Sequence, residues 1–165
     1  MRLKETTLKD DHGRADKEKR LESFIMSRLE TMSDAEPGDG ELLIVARSSD
    51  STVLNALDRL CAKAGERINK ARIIVLQDKS AQPELEKFAA SFPTSVRLAA
   101  AHRFADAHEQ LVIGLRDCWF GDCMRRDPNK RYTYEAYHEG DAEMARLARM
   151  SFSHLWESAV AASPT

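Results

Sequence analysis

The segment spanning residues 108–126, HEQLVIGLRDCWFGDCMRR, brings together residue types that can act on phosphate esters. His108 stands just before an apolar run, and an arginine pair, Arg125 and Arg126, ends the segment. An imidazole can serve as a nucleophile or as a general acid, and guanidinium groups bind phosphoryl oxygens. These residues form either an active site or the remains of one.

The composition sets limits on the class of protein. A chain of 165 residues predicts one domain with a single core. Apolar residues make up 42% and charged residues 32%, which is typical of a soluble globular protein. The net charge of −2 gives no overall basic field for nucleic acid or anionic membranes, so any such contact would be local.

The sequence has no apolar signal region at its N-terminus, and no apolar run approaches the roughly 20 residues that span a bilayer. Its cysteines form an odd set, Cys61, Cys118 and Cys123. We therefore expect a cytoplasmic protein with reduced thiols and no membrane span.

Zinc is an alternative use of two of these thiols. Cys118 and Cys123 could ligate zinc together with His108 or His138, but a C-x4-C spacing without a second pair is a weak pattern. Thiols packed beside aromatic side chains are the favoured interpretation. We expect neither a metal nor a cofactor.

The N-terminal 40 residues divide into two parts. Residues 1–20 are dense in charge and poor in large apolar side chains, which predicts a mobile tail. In residues 21–40, apolar side chains at helical spacing predict an amphipathic helix over residues 21–32, and a linker with Pro37 follows it.

Residues 41–165 predict an α/β domain with a mixed β-sheet and helices on both faces. Residues 42–46 and 73–76 are short apolar runs typical of buried parallel strands, and the helix between them is capped by the SSDS segment. The remaining predictions are a helix between Pro83 and Pro93, strands at 96–100, 111–115 and 118–120, a polar loop over 122–140, and a long helix from Asp141 to about Ala159.

This order of elements resembles one half of the phospholipase D superfamily fold, and the most specific likeness lies between His108 and Gly121. In that family a histidine, one spacer and a lysine open a strand, an aspartate follows after four residues, and a Gly-Ser pair comes later. Two such motifs meet across a two-fold axis. The resemblance implies that one histidine attacks phosphorus, the other protonates the leaving oxygen, and the lysines hold the phosphoryl oxygens.

Several positions depart from the family motif, although His108 matches its histidine and Gly121 roughly matches its glycine. Gln110 stands in place of the lysine and brings no charge. Leu115 replaces the aspartate; Asp117, two residues later, is expected on the same strand face and would compensate in part. An aspartate also replaces the serine and adds negative charge beside a bound phosphate. That residue is Asp122.

Three hypotheses follow from this pattern. The first is a catalytically degenerate domain that acts as a binding or assembly module and retains an anion or phosphate site, with His108 as an ordinary histidine at a strand entry. The second is a homodimeric, metal-independent phosphodiesterase or nuclease that uses His108 from each subunit, with an arginine in place of the lysine. The third is a DNA-associated regulator. The candidate ligand-binding residues are Gln110, Asp117, Gly121, Asp122, Arg125 and Arg126.

The expected partners follow from the same features. A single half-unit leaves its cleft-side surface uncovered, so we expect a homodimer, unless the helix over residues 21–32 covers that surface. The arginine-rich segment over residues 116–131 suits a phosphate-bearing ligand or a nucleic-acid backbone. With its interleaved aspartates, however, such a run is more often a solvated loop with internal ion pairs.

Overall fold

The computed structural model describes residues 11–32, 36–48, 50–64, 68, 70–76, 94–99, 107–124 and 134–161. Its elements in chain order are α1 (Asp11–Thr31), β1 (Glu41–Ala46), α2 (Thr52–Ala64), β2 (Lys70–Leu76), β3 (Thr94–Ala99), β4 (His108–Ile113), β5 (Asp117–Cys123), β6 (Ala136–His138), α3 (Ala142–Ser158) and β7 (Val160–Ala161). The helix predicted between Pro83 and Pro93 lies outside the described residues.

The strands form one mixed sheet in the order β6-β5-β4-β1-β2-β3-β7. β1 pairs with β2, and β2 with β3, in parallel, whereas β4, β5, β6 and β7 pair antiparallel with their neighbours. The predicted mixed α/β sheet with its two parallel strands is therefore confirmed.

The central strand β1 is buried on both faces, as its continuous apolar run predicts. Leu42 and Ile44 belong to a core cluster shared with α1 and α2. Leu43 and Val45 belong to a second cluster shared with α3. Helices therefore cover both faces of the sheet, and residues 42–46 of β1 alternate between the two cores.

The closing helix α3 matches its prediction closely. The carboxylate of Asp141 accepts a hydrogen bond from the Met144 amide at 3.0 Å and caps the first turn. Ala148 and Phe152 are buried, one helical turn apart, and pack in the second core cluster. The sequence period thus identifies the buried face of α3.

The N-terminal helix differs from its prediction because α1 begins at Asp11. The apolar stripe is as expected, since Leu21, Ile25 and Leu29 are buried in the core shared with α2. The helix therefore packs on the sheet of its own chain. The predicted mobile tail is wrong for residues 11–20, which form the first part of α1; residues 1–10 lie outside the described residues.

The polar segment over residues 122–140 is also more structured than predicted. Asp122 and Cys123 end β5, and β6 lies at residues 136–138, where it pairs antiparallel with β5. A short strand in a polar segment carries too few apolar side chains to produce a clear period of two. None of the described helices is long and apolar enough to cross a membrane.

Replacing Ile25 with alanine tests the packing of α1. Ile25 is fully buried, and the loss of a buried isoleucine side chain should lower the free energy of unfolding by about 2–5 kcal/mol. Urea denaturation followed by circular dichroism measures this change. Ser23→Ala, at an exposed position of the same helix, should change the value by less than about 0.5 kcal/mol. Equal effects of the two substitutions would contradict the packing.

Candidate functional site at the His108 edge of the sheet

The candidate site lies at one edge of the sheet, where β1 ends, β4 begins and β5 ends. His108, the first residue of β4, pairs with Cys123, the last residue of β5. The Met124 amide also donates to the Ala107 carbonyl at 2.9 Å, so the two strands stay paired beyond their ends. Ala46 ends the neighbouring strand β1 close to this position, because Val45 pairs with Gln110. This edge is called the His108 edge below.

The imidazole of His108 is held by a backbone carbonyl. His108 is exposed, and its Nδ1 lies 2.8 Å from the carbonyl oxygen of Gly121. Because a carbonyl oxygen only accepts hydrogen bonds, Nδ1 must carry the proton in this contact, which leaves the lone pair of the neutral ring on Nε2. The ring of Tyr134 lies beside it, with the ring centroids 5.5 Å apart. His108 can therefore act as a base or a nucleophile through Nε2.

Gly121 has a packing role as well as this hydrogen bond. A Cβ atom added at Gly121 would lie 2.5 Å from Cη2 of Trp119, a side chain that is fully buried. Only glycine leaves room for the indole at this position. The structure thus brings the His108 imidazole and the Gly121 carbonyl together.

Gln110, two residues beyond His108, does not face the same space. Its side chain is 3% exposed, and its Nε2 donates to the carbonyl oxygen of Ala148 in α3 at 3.2 Å. The register of β4 and β5 also shifts between His108 and Gln110. The amide therefore ties β4 to α3, whereas the sequence predicts a ligand-binding side chain.

Asp122 is likewise turned into the protein. Its carboxylate is 0% exposed, as is the side chain of Lys17 in α1, and Oδ2 lies 3.3 Å from the Lys17 Nζ. Its Oδ1 accepts a hydrogen bond from the Tyr134 amide at 3.2 Å. The expectation that Asp122 adds negative charge beside a bound phosphate needs correction, because a buried lysine neutralises it.

Asp117 lies at the other end of the β4–β5 hairpin. Gly114, with a φ of +60°, begins the turn that contains Leu115, and Asp117 then pairs with Ile113. Ile113 lies five positions after His108 on β4, which is roughly 17 Å along a strand. The expected compensation for Leu115 by Asp117 is therefore wrong, since the turn reverses the chain between them and carries Asp117 away from the imidazole.

A buried polar network lies beside His108, and the phospholipase D-like motif does not predict it. The carboxylate of Glu109, 2% exposed, accepts hydrogen bonds from the Arg47 amide at 3.1 Å and from the Ser51 hydroxyl at 2.9 Å. Arg47 also donates from Nη2 to the Cys123 carbonyl at 2.9 Å. Its buried Nε has no hydrogen-bond partner within the part of the chain that the structure describes. Arg47 is thus a cation adjoining the His108–Cys123 pair.

One sequence signal could have identified this network. Arg47 follows β1 directly, and Ser51 precedes α2, so both lie at the carboxyl edge of a parallel strand. Ligands of open α/β sheets bind at that edge. Lys17 gave no comparable signal, because its partner Asp122 is 105 residues away in the sequence.

The arginine-rich segment is only partly described. Arg125 and Arg126 lie outside the described residues. Arg116 is exposed in the hairpin turn, at the end of β5 opposite Cys123. Arg116 and Met124 therefore lie at opposite ends of β5.

The thiols of the region lie in the sheet. Cys118 is 0% exposed in the core cluster under α3, and Cys123 is half-buried; both are free. Burial, followed by the nearby carboxylates of Asp141 and Asp117, raises the pKa of the Cys118 thiol to about 12. Among the residues that the structure describes, no three histidine, cysteine or acidic side chains are grouped as a metal site would require.

Comparison of the fold with solved structures gives matches that each cover most of the chain. The phospholipase D family member Nuc from Salmonella typhimurium superimposes with a TM-score of 0.58 at 9% identity, over 86% of this chain and 90% of that protein. NucT from Helicobacter pylori gives a TM-score of 0.57 at 15% identity, over 97% of this chain and 99% of that one. The chain has the phospholipase D-like fold.

A third structural match has a different context. TrmBL2, an archaeal chromatin protein whose structure shows a novel mode of DNA binding, gives a TM-score of 0.57 at 19% identity. The match covers 87% of this phospholipase D-like chain and 51% of TrmBL2, so the chain spans about half the length of that protein. No protein-family model matches the sequence, and no curated protein matches it significantly.

Alkylation tests the environment of Cys118. With a thiol pKa of about 12, only roughly one molecule in 10⁴ carries the thiolate at pH 8, and iodoacetamide reacts with the thiolate. We expect Cys118 to stay unmodified in native protein and to be modified in urea, as measured by peptide mass spectrometry. Because the pKa of Cys118 is higher in the folded state than in the unfolded state, the neutral thiol makes its full contribution to the free energy of unfolding below about pH 9. This contribution is lost as the pH rises towards 12. Rapid native labelling of Cys118 would contradict its burial.

Proposed function

We propose that this chain is a catalytically inactive phospholipase D-like domain that works by binding or assembly. The observation that carries the proposal is the position of Gln110, which replaces the motif lysine, is 3% exposed and donates its amide hydrogen to the Ala148 carbonyl. A side chain in this position supplies no charge to a phosphoryl group, and its amide nitrogen is directed at the Ala148 carbonyl. The site therefore lacks the positive charge that the phospholipase D motif places beside the phosphoryl oxygens.

Two further positions support the same proposal. Asp122, in place of the motif serine, is buried against Lys17 and holds the Tyr134 amide. Asp117 lies at the far end of the hairpin and accepts from the Gly140 amide at 2.9 Å. Both carboxylates hold the fold together, and neither orients the imidazole of His108, whose Nδ1 is held by a carbonyl instead.

A retained anion site at the His108 edge is part of this proposal. The guanidinium of Arg47, whose buried Nε has no partner among the described residues, is a donor that an oxyanion can use beside His108. Arg125 and Arg126 are proposed as further ligands. Self-association is proposed on the ground that the chain is a half-unit of a two-fold fold; sedimentation of a monomer alone at micromolar concentration would count against it.

The geometry of His108 favours one second candidate, a phosphodiesterase shared by two subunits. Nε2 carries the free lone pair and lies on an exposed side chain, which is what a nucleophile needs. This candidate requires a cation that replaces the lysine. Arg47, Arg125 and Arg126 are the residues to test for that role.

The third candidate, a DNA-associated protein, is suggested by the structural match to TrmBL2. Its weak point is the net charge of −2, which provides no general attraction for phosphates. An electrophoretic mobility shift with duplex DNA at two salt concentrations tests it, and a salt-dependent shift that Arg125→Ala and Arg126→Ala together abolish would favour it.

A hydrolysis assay separates the first two candidates. Purified protein should cleave bis(p-nitrophenyl) phosphate and DNA no faster than the His108→Ala variant does, with a chelator present in both assays. The reason is the missing lysine charge, since the loss of one preorganised contact to the transition state commonly costs on the order of 10²-fold in rate. Initial rates measured by absorbance and gel electrophoresis provide the readout.

This assay needs one control for the folding of the variant and one for the sensitivity of detection. Circular dichroism must show that His108→Ala keeps the fold, and a commercial phosphodiesterase must be active in the same buffer. If the wild-type protein cleaves either substrate and His108→Ala does not, the inactive-module proposal is wrong. Arg47→Gln, Arg125→Ala and Arg126→Ala would then identify the replacement cation.

A further inference from the structure

A second candidate site lies at the opposite end of the sheet from His108. A cavity of about 310 Å³ opens between the end of α1, the turn over residues 36–40 and the β4–β5 hairpin turn. Its volume is at the lower end of the range for small-molecule pockets, which is roughly 300–1,000 Å³. The lining combines charges of both signs with the apolar side chains of Met32, Ile113 and Leu115.

Arg28 lines this cavity with hydrogen-bonding capacity to spare. Its Nη2 donates to the Ser27 hydroxyl at 2.8 Å, and its Nη1 lies 3.7 Å from the Asp117 carboxylate, which is too far for a good hydrogen bond. Its Nε is buried and has no partner among the described residues. A guanidinium has five N–H donors, and the structure shows a short hydrogen bond for one of them.

Two exposed charged residues, Arg116 and Glu36, also line the cavity. The side chains of Arg116 and Glu36 form no hydrogen bond or ion pair with other residues in the described part of the chain. The remaining two acids differ, because each serves the backbone. Asp39 accepts from the Glu36 amide at 3.2 Å, and Asp117 accepts from the Gly140 amide at 2.9 Å.

From this lining we infer that the cavity binds a small zwitterion, an α-amino acid with a compact apolar side chain. The carboxylate of the ligand would accept from Arg28 and Arg116, since guanidinium groups bind carboxylates through two parallel hydrogen bonds. Its ammonium group would donate to Glu36, and its side chain would lie against the apolar lining. The five charged side chains around the cavity sum to −1, from two arginines and three acids. This charge disfavours a simple anion and fits a ligand with both charges.

The test is calorimetric titration of the full chain with L-valine and L-leucine. Isovalerate, which lacks the amine, and isobutylamine, which lacks the carboxylate, serve as comparison ligands. We expect an amino acid to bind at least about tenfold more tightly than either comparison ligand, because each of them leaves one set of charged groups without a partner. The inference is overturned if neither amino acid binds at millimolar concentration, or if isovalerate or isobutylamine binds as tightly.

Matched variants locate the site. Arg116→Gln, at an exposed turn position, should fold normally and weaken binding by about tenfold or more, and Arg28→Gln should do the same. Arg20→Gln removes an arginine from the same helix, where it pairs with Glu135 at 2.7 Å outside the cavity, and should leave the affinity unchanged. Unchanged affinity in Arg116→Gln, or an equal loss in Arg20→Gln, would overturn the assignment.

Discussion

The buried ion pair between Lys17 and Asp122 is the interaction on which the rest of this structure depends. Both side chains are 0% exposed and their charged atoms lie 3.3 Å apart, so neither charge has water to stabilise it. A buried charge of this kind persists only with its partner. The pair joins the first half of α1 to the end of β5, next to Gly121, whose carbonyl holds His108.

Surrounding ion pairs extend this attachment along α1. Glu18 contacts Arg59 in α2 at 2.7 Å, and Arg20 contacts Glu135 beside β6 at 2.7 Å. These partners lie on opposite sides of α1, so the helix bridges α2 and the β5–β6 edge. The charged half of α1 is therefore part of the fold, and Asp122 on β5 holds it through Lys17. Gln110 and Asp122, which stand at the lysine and serine positions of the resemblance, both make contacts within the fold.

The sequence predicted the elements whose formation depends mainly on neighbouring residues. The continuous apolar run of β1 and the Asp141 cap of α3 required no knowledge of distant partners. The first half of α1 could not be predicted in this way, because the charge of Lys17 is stabilised by a residue 105 positions away. The hairpin turn explains the error on Asp117, since the positive φ of Gly114 reverses the chain before that residue. For Gln110 the sequence identified the substitution, but the direction of its side chain depends on the packing of α3.

A double-mutant cycle on Lys17 and Asp122 tests this account most directly. Lys17→Met and Asp122→Leu should each lower the free energy of unfolding by about 3–5 kcal/mol, because each removes the oppositely charged partner of a buried group. The double variant should be more stable than either single variant, which urea denaturation measures. If Lys17→Met or Asp122→Leu alone costs less than about 1 kcal/mol, as an exposed ion pair would, Asp122 is free to act at the His108 edge and the account is wrong.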